Sequence, residues 1–147
     1  MNRFQQNIFH DSLVTIHSRE HASEHIAVLV EADKRGHYSH GFNRLRGHYV
    51  ADIRSKVSCH IKIFSSISIS QYLLKICDPN SKPSIVKETG STALVDGNNG
   101  LGAVVGNFAM NLAINKARET GVGWVSVRGS NHFGIAGHYA AQVNTYL

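Results

Sequence analysis

Between residues 92 and 127 the chain alternates strand and helix signals with glycine punctuation. Thr92-Ala93-Leu94-Val95 is strand-like, and Asp96-Gly97-Asn98-Asn99-Gly100 is rich in turn formers. Residues 101–120 then carry Val104, Val105, Phe108, Leu112 and Ala113 at helical spacing. Gly121 stops that helix, and Val122-Gly123-Trp124-Val125-Ser126-Val127 reads as a second strand. A last helix is expected from Ile135 to Val143. This β/α pattern limits the second half of the chain to a sheet whose apolar face, including Leu94, Val125 and Val127, needs a cover.

The first half reads differently. Ala22, Ile26, Leu29 and Val30, thickened by Ala27, Val28 and Ala32, predict a helix from about Ser12 to Asp33. Ser18 and Ser23 are alternative N-caps. Lys34-Arg35 followed by Gly36 marks its end. Phe42, Leu45 and Tyr49 predict a second helix from Ser39 to Val50. Ile61, Ile63, Ile67 and Ile69 alternate with polar residues, as in a strand, before the loop Cys77-Asp78-Pro79-Asn80-Ser81-Lys82-Pro83. The expected organisation is a helical segment over 1–56, a linker over 57–87 and the start of an α+β domain over 88–147.

Composition narrows the class of function. At 42% hydrophobic and 17% charged, the 147 residues are those of a globular protein. The net charge of +5 is spread along the chain, and no basic run is interleaved with aromatics, so no nucleic-acid partner is expected. No stretch approaches the roughly 20 apolar residues of a membrane span, and the N-terminus has no apolar signal segment. Two cysteines, Cys59 and Cys77, without such a signal are read as reduced thiols. The expected location is the cytoplasm, with no membrane partner.

Four constellations can carry chemistry. In the stretch from Arg35 to Arg44, His40 and Arg44 share a face if Ser39 onward is helical. A guanidinium grips a carboxylate with two parallel hydrogen bonds, an imidazole beside it exchanges a proton near neutral pH, and the Ser39 hydroxyl can add a hydrogen bond. The same residues also suit a solvated basic helix start. Arg128-Gly129-Ser130-Asn131-His132-Phe133-Gly134-Ile135-Ala136-Gly137 joins a strand to a helix, where α/β sheets hold ligands, and His132 there is either an acid/base group or a structural histidine. Gly100-Leu101-Gly102-Ala103-Val104-Val105-Gly106 superficially resembles a dinucleotide fingerprint, with Arg128 as a contact to a 2′-phosphate; a structural glycine turn is the plainer reading. His17, His21 and His25 have metal-chelating spacing, but nothing completes a site, so they are read as a solvated polar face and no metal is assigned.

Arg35-Gly36-His37-Tyr38-Ser39-His40-Gly41-Phe42-Asn43-Arg44-Leu45, the loop from Cys77 to Pro83, the run 88–106 and Ser130-Asn131-His132-Phe133-Gly134-Ile135-Ala136-Gly137 together resemble the type-2 malate/L-lactate dehydrogenase family. The resemblance covers about residues 20–57 and 77–143, with several unbroken motifs in family order. It implies a non-Rossmann α+β fold, NAD or NADP as cofactor, a small 2-oxo or 2-hydroxy acid as substrate, and a homodimer. By position it makes His40, Arg44 and His132 catalytic, and Ser39, Arg44 and Asn131 substrate contacts. It also places His40 and the loop Gly134, Ile135, Ala136 and Gly137 near the nicotinamide. Which histidine gives the proton stays open.

Two departures accompany the resemblance. Residues 58–76 have no counterpart in the family pattern, and the similarity fades after Val143, while family members run to more than twice this length. Both departures follow a valine (Val57 and Val143), whose codons begin GT as splice donors do. Two introns read through by the gene model would account for them, and a genuine insertion is the alternative. The expectation is therefore an N-terminal portion of a 2-hydroxyacid dehydrogenase, inactive by itself. A non-catalytic remnant binding a small anion through Arg44 and the 129–137 loop is the second reading, and a histidine-rich metal-binding module the third.

Overall fold

The computed structural model describes residues 18–45, 77–78 and 80–144. The alternating segment 58–76, the 46–50 end of the expected second helix, His17 and Cys59 lie outside the described residues. The chain divides into two compact units, Met1–Asn80 and Ser81–Leu147.

In the first unit, helix α1 runs Arg19–Lys34 rather than starting near Ser12. Ser18 is the cap: its Oγ accepts from the His21 backbone N–H at 3.2 Å. Ser23 lies inside the helix and donates back to the Arg19 carbonyl. The exit is local chemistry too. Gly36 takes φ 76°, and the His37 N–H reaches back to the Ala32 carbonyl at 2.8 Å, closing the final turn as a left-handed glycine cap does.

The buried arc of α1 corrects one expectation. His21 and His25 are 5% and 3% exposed and do not form a solvated face. Positions 21, 25, 28 and 32 fall on one stripe at 100° per residue, beside 22, 26 and 29, so both imidazoles line up with Val28 and Ala32. Ala27, expected inside, is exposed. Among the described residues no group of three potential ligands could hold a metal. The helix expected from Ser39 starts later: a short 3₁₀ turn spans Tyr38–His40, Gly41 leaves it in extended conformation, and helical residues begin at Asn43.

The second unit is a three-stranded sheet in the order β1-β2-β3 with helices from the two connections after β2. Strand β1 (Ser84–Glu88) pairs antiparallel with β2 (Thr92–Gly100); helix α2 (Gly102–Thr120) crosses to β3 (Trp124–Ser130), which pairs parallel with β2; helix α3 (Ala136–Val143) follows. Strand β1 has no counterpart among the sequence expectations. It is exposed along its length and carries no alternation, so only its pairing with β2 reveals it.

Register sorts the two faces. Ala93 pairs with Val125 and Val95 with Val127 on the face that meets α2, where a Cβ on Gly97 would touch the Val105 side chain at 3.1 Å. Leu94 pairs with Ser126 and so lies on the opposite face, not with Val125 and Val127 as expected. Val104 and Val105 are buried as expected, together with Ala103 and Ile114, whereas Phe108, Leu112 and Ala113 are only half-buried. The sheet does leave apolar surface uncovered: Val127 is 38% exposed and Trp124 69%. Gly121, at φ 81°, caps α2 through its N–H to the Ala117 carbonyl. Buried Lys116 ties α2 to the sheet edge, donating to Glu88 Oε2 at 2.9 Å and to the Thr89 carbonyl at 2.6 Å.

Candidate active site

The first cluster is built where α1 hands over to the turn at Gly41. An ideal Cβ on Gly41 would stand 1.7 Å from Asp33 Oδ1, so the absence of a side chain lets the chain pass close to the carboxylate as it is placed. Asp33 Oδ2 then accepts from the Phe42 N–H at 3.1 Å. The Arg44 and Leu45 N–H groups bond to the carbonyls of Gly41 and Phe42, three residues back, a tight first turn where helical residues begin at Asn43. The expected four-residue spacing of His40 and Arg44 on one helical face is therefore replaced by a different link. Ser39 holds both: its Oγ lies 2.9 Å from His40 Nδ1, and its carbonyl accepts from Arg44 Nε at 2.5 Å. With Nε committed, the terminal Nη1 and Nη2 of Arg44 form the fork that an incoming carboxylate would meet. The bond between His40 and Ser39 survives either protonation state, because a hydroxyl donates to a neutral Nδ1 and accepts from a protonated one.

The second cluster lies on the loop from β3 to α3. His132 Nδ1 accepts from the Gly134 N–H at 3.0 Å. In the neutral ring this sets the proton on Nε2, so the outer edge of His132 is a donor. Asn131 Nδ2 donates to the Asn99 carbonyl at 3.0 Å and to the Gly100 carbonyl at 2.8 Å, tying the loop to the end of β2. Those carbonyls are aimed by an unusual backbone: Asn98 and Asn99 both take positive φ, at 49° and 55°, where the sequence suggested an ordinary turn. Asn98 is fixed there by its amide to the Lys82 carbonyl and by Asp96 Oδ1, which accepts from its N–H.

The glycines of 100–106 serve this packing. A Cβ on Gly102 would sit 2.2 Å from the His132 carbonyl oxygen and 2.3 Å from that of Asn131. A Cβ on Gly106 would meet the Tyr139 ring at 2.7 Å. Gly102 and Gly106 are thus accounted for by close packing within the chain, the plainer structural reading of these glycines. Arg128, the suggested phosphate contact, is instead paired through Nε with Asp96 Oδ2 at 2.9 Å. The Asn98 N–H and then the Arg128 guanidinium hold the Asp96 carboxyl below its ordinary value of 3.8. A depressed pKa in the folded state stabilises above the unfolded value and stops doing so as pH falls through the folded value. Asp96→Asn is thus expected to lower Tm at neutral pH, with the two Tm curves converging as pH falls through the depressed folded value of Asp96; curves that stay parallel into the acid limb would contradict it.

Ser39, His40 and Arg44 come together in the first unit; Asn131, His132 and the 134–137 stretch come together in the second. Asp33 and the Asn98-Asn99 pair shape these clusters and were missed from sequence. A glycine inside an expected helix, Gly41, was the available signal for the first. The Asn-Asn pair, a residue type that tolerates positive φ, was the signal for the second.

The sequence model described as malate/L-lactate dehydrogenase matches residues 61–145. The chain is 43% identical over 115 residues to an L-sulfolactate dehydrogenase of Methanocaldococcus jannaschii, covering 77% of this chain and 27% of that protein. It is 42% identical over 112 residues to a malate dehydrogenase of Pyrococcus abyssi, covering 76% and 25%. The solved sulfolactate dehydrogenase of Methanocaldococcus jannaschii superposes with a TM-score of 0.76 at 36% identity, covering 93% of this chain and 34% of that one. The chain thus spans between a quarter and about a third of the length of these relatives.

Proposed function

Since the chain belongs to the malate/L-lactate dehydrogenase family, we propose that the whole protein is an oxidoreductase interconverting a small 2-hydroxy acid and its 2-oxo acid, with NAD or NADP as the hydride partner. One observation carries the reading: Ser39 joins a proton-exchanging imidazole and a carboxylate-gripping guanidinium through its two oxygens. Arg44 binds the substrate carboxylate through its terminal amino groups. His40, whose bond to Ser39 survives both protonation states, takes the proton from the hydroxyl in oxidation and returns it in reduction. His132, with Nε2–H as its outer donor, is proposed as the group that stabilises charge developing on a substrate oxygen.

A nicotinamide cofactor, when bound, supplies the hydride chemistry. The proposed contacts Gly134–Gly137 suit such a group. Gly134 has φ 90°, and α3 begins at Ala136 with no side-chain cap, so backbone N–H groups and small side chains line the approach. The same reading carries the expectation of a cytoplasmic homodimer. Among the described residues no helix is long and apolar enough to cross a membrane.

Arg44 tests the proposal. Arg44→Ala in the whole protein is expected to lower kcat/KM for the 2-oxo acid about 10–100-fold, mainly through KM, as a charge-assisted hydrogen bond worth about 1.5–3 kcal/mol is lost. Arg44→Lys should recover only part, because a point charge does not reproduce the fork. Steady-state kinetics within about twofold of the parent for Arg44→Ala would remove Arg44 as the carboxylate clamp.

A further inference from the structure

We propose that Tyr139 is a positioning residue for His132, acting through the peptide that joins Phe133 to Gly134. The inference rests on the reading of His132 as a donor to the substrate oxygen. The Tyr139 hydroxyl, on α3, donates to the Phe133 carbonyl at 2.5 Å. That carbonyl and the Gly134 N–H belong to one planar trans peptide and point in opposite directions. Tyr139 holding the oxygen therefore turns the N–H the other way, where it meets His132 Nδ1 at 3.0 Å. A hydroxyl on one side of the peptide sets the tautomer of the imidazole on the other.

The tyrosine is itself well fixed. It is 7% exposed, and its ring lies so close over Gly106 of α2 that any side chain there would overlap it. The Phe133 ring packs against it at 5.4 Å and 42°, and the His138 ring meets it edge-on at 5.0 Å. Gly106 is thus explained by the room it leaves for Tyr139, and Tyr139 by the peptide it orients. With Asn131 tied to the end of β2, the loop is held on both sides of His132.

A double-mutant cycle in the whole protein separates this role from ordinary packing. Tyr139→Phe, which removes only the hydroxyl, is expected to lower kcat about tenfold while KM stays within about twofold. In a His132→Ala background, where no tautomer remains to set, the same change should alter kcat less than about twofold. Gly106→Ala, whose methyl would crowd the Tyr139 ring edge and hydroxyl and so displace the group while keeping it chemically intact, is a second variant expected to show the same dependence on His132. Equal losses from Tyr139→Phe in both backgrounds would overturn the proposal, as would an unchanged kcat in Tyr139→Phe beside a crippled His132→Ala. Parental kcat in His132→Ala alone would instead remove the underlying reading of His132, and that outcome needs no Tyr139 variant to recognise.

Discussion

His40→Ala in the whole protein is expected to lower kcat by roughly 10²–10⁴-fold, the usual contribution of a positioned proton-transfer group. The argument is one of hydrogen bonding. His40 Nδ1 faces a serine hydroxyl, which serves as donor or acceptor as needed, so the ring gains and loses a proton without losing its partner. His132 Nδ1 faces a backbone N–H, which only donates; protonating that nitrogen would set two donors against each other. On the proposed reading His40 is therefore the group that changes charge and His132 a neutral donor, a division that the sequence left open. His132→Ala should cost about 10²–10³-fold in kcat, as loss of a donor to a developing oxyanion does. His132→Gln, which keeps an N–H donor, should recover part of it, whereas His40→Gln should recover little. Steady-state kinetics showing parental kcat in both alanine variants would discard the acid/base assignment, and rescue of His40 but not His132 by glutamine would reverse the two roles.

The second large effect is expected at Gly102. Its hydrogen atom faces two backbone carbonyl oxygens, those of Asn131 and His132, and a methyl group in its place would overlap both. Backbone cannot swing aside as a flexible side chain can, so either the first turn of α2 or the His132 loop must move. Gly102→Ala is expected to cost about 3 kcal/mol, the upper end for overpacking, and so to lower Tm by very roughly 10 °C in a domain of this size. Because the displaced atoms belong to His132 and its neighbour, kcat of the whole protein should fall as well. Gly121→Ala is the matched control. Nothing lies within 4 Å of its Cβ position, but φ is 81°, so a cost of about 1 kcal/mol with no change in kcat is expected. Thermal unfolding that leaves Gly102→Ala at the parental Tm would mean that the loop does not seat on α2.

Several features of the fold were legible because their causes are local. The Ser18 cap, the Gly36 exit of α1, the span of α2 and its stop at Gly121 each depend on contacts within about five residues, which neighbouring side chains announce. The burial of His21 and His25 was misread from sequence as a solvated face. Their helical angle aligns them with Val28 and Ala32, but their polarity argued for the opposite face, and position won over polarity. Strand β1 was not legible: a fully exposed strand has no buried face to impose alternation, and its conformation is set by the hydrogen bonds of β2.

The candidate residues divide along the same line. The proposed chemical residues (His40, Arg44, His132) came from residue type together with the family resemblance, since imidazole and guanidinium have their proton and carboxylate chemistry in any fold. How they are held did not. The helix expected from Ser39 starts only at Asn43, because Asp33, on the preceding helix, takes the Phe42 N–H and lies against Gly41. The glycines of 100–106 proved to be clearances for the carbonyls of Asn131 and His132 and for the Tyr139 ring, atoms about thirty residues away. Residue identity alone determined the available chemistry and the local turns. Close approach between distant segments decided tautomer, orientation and register, because those depend on which donor meets which acceptor across space, and neighbours in the chain do not carry that information.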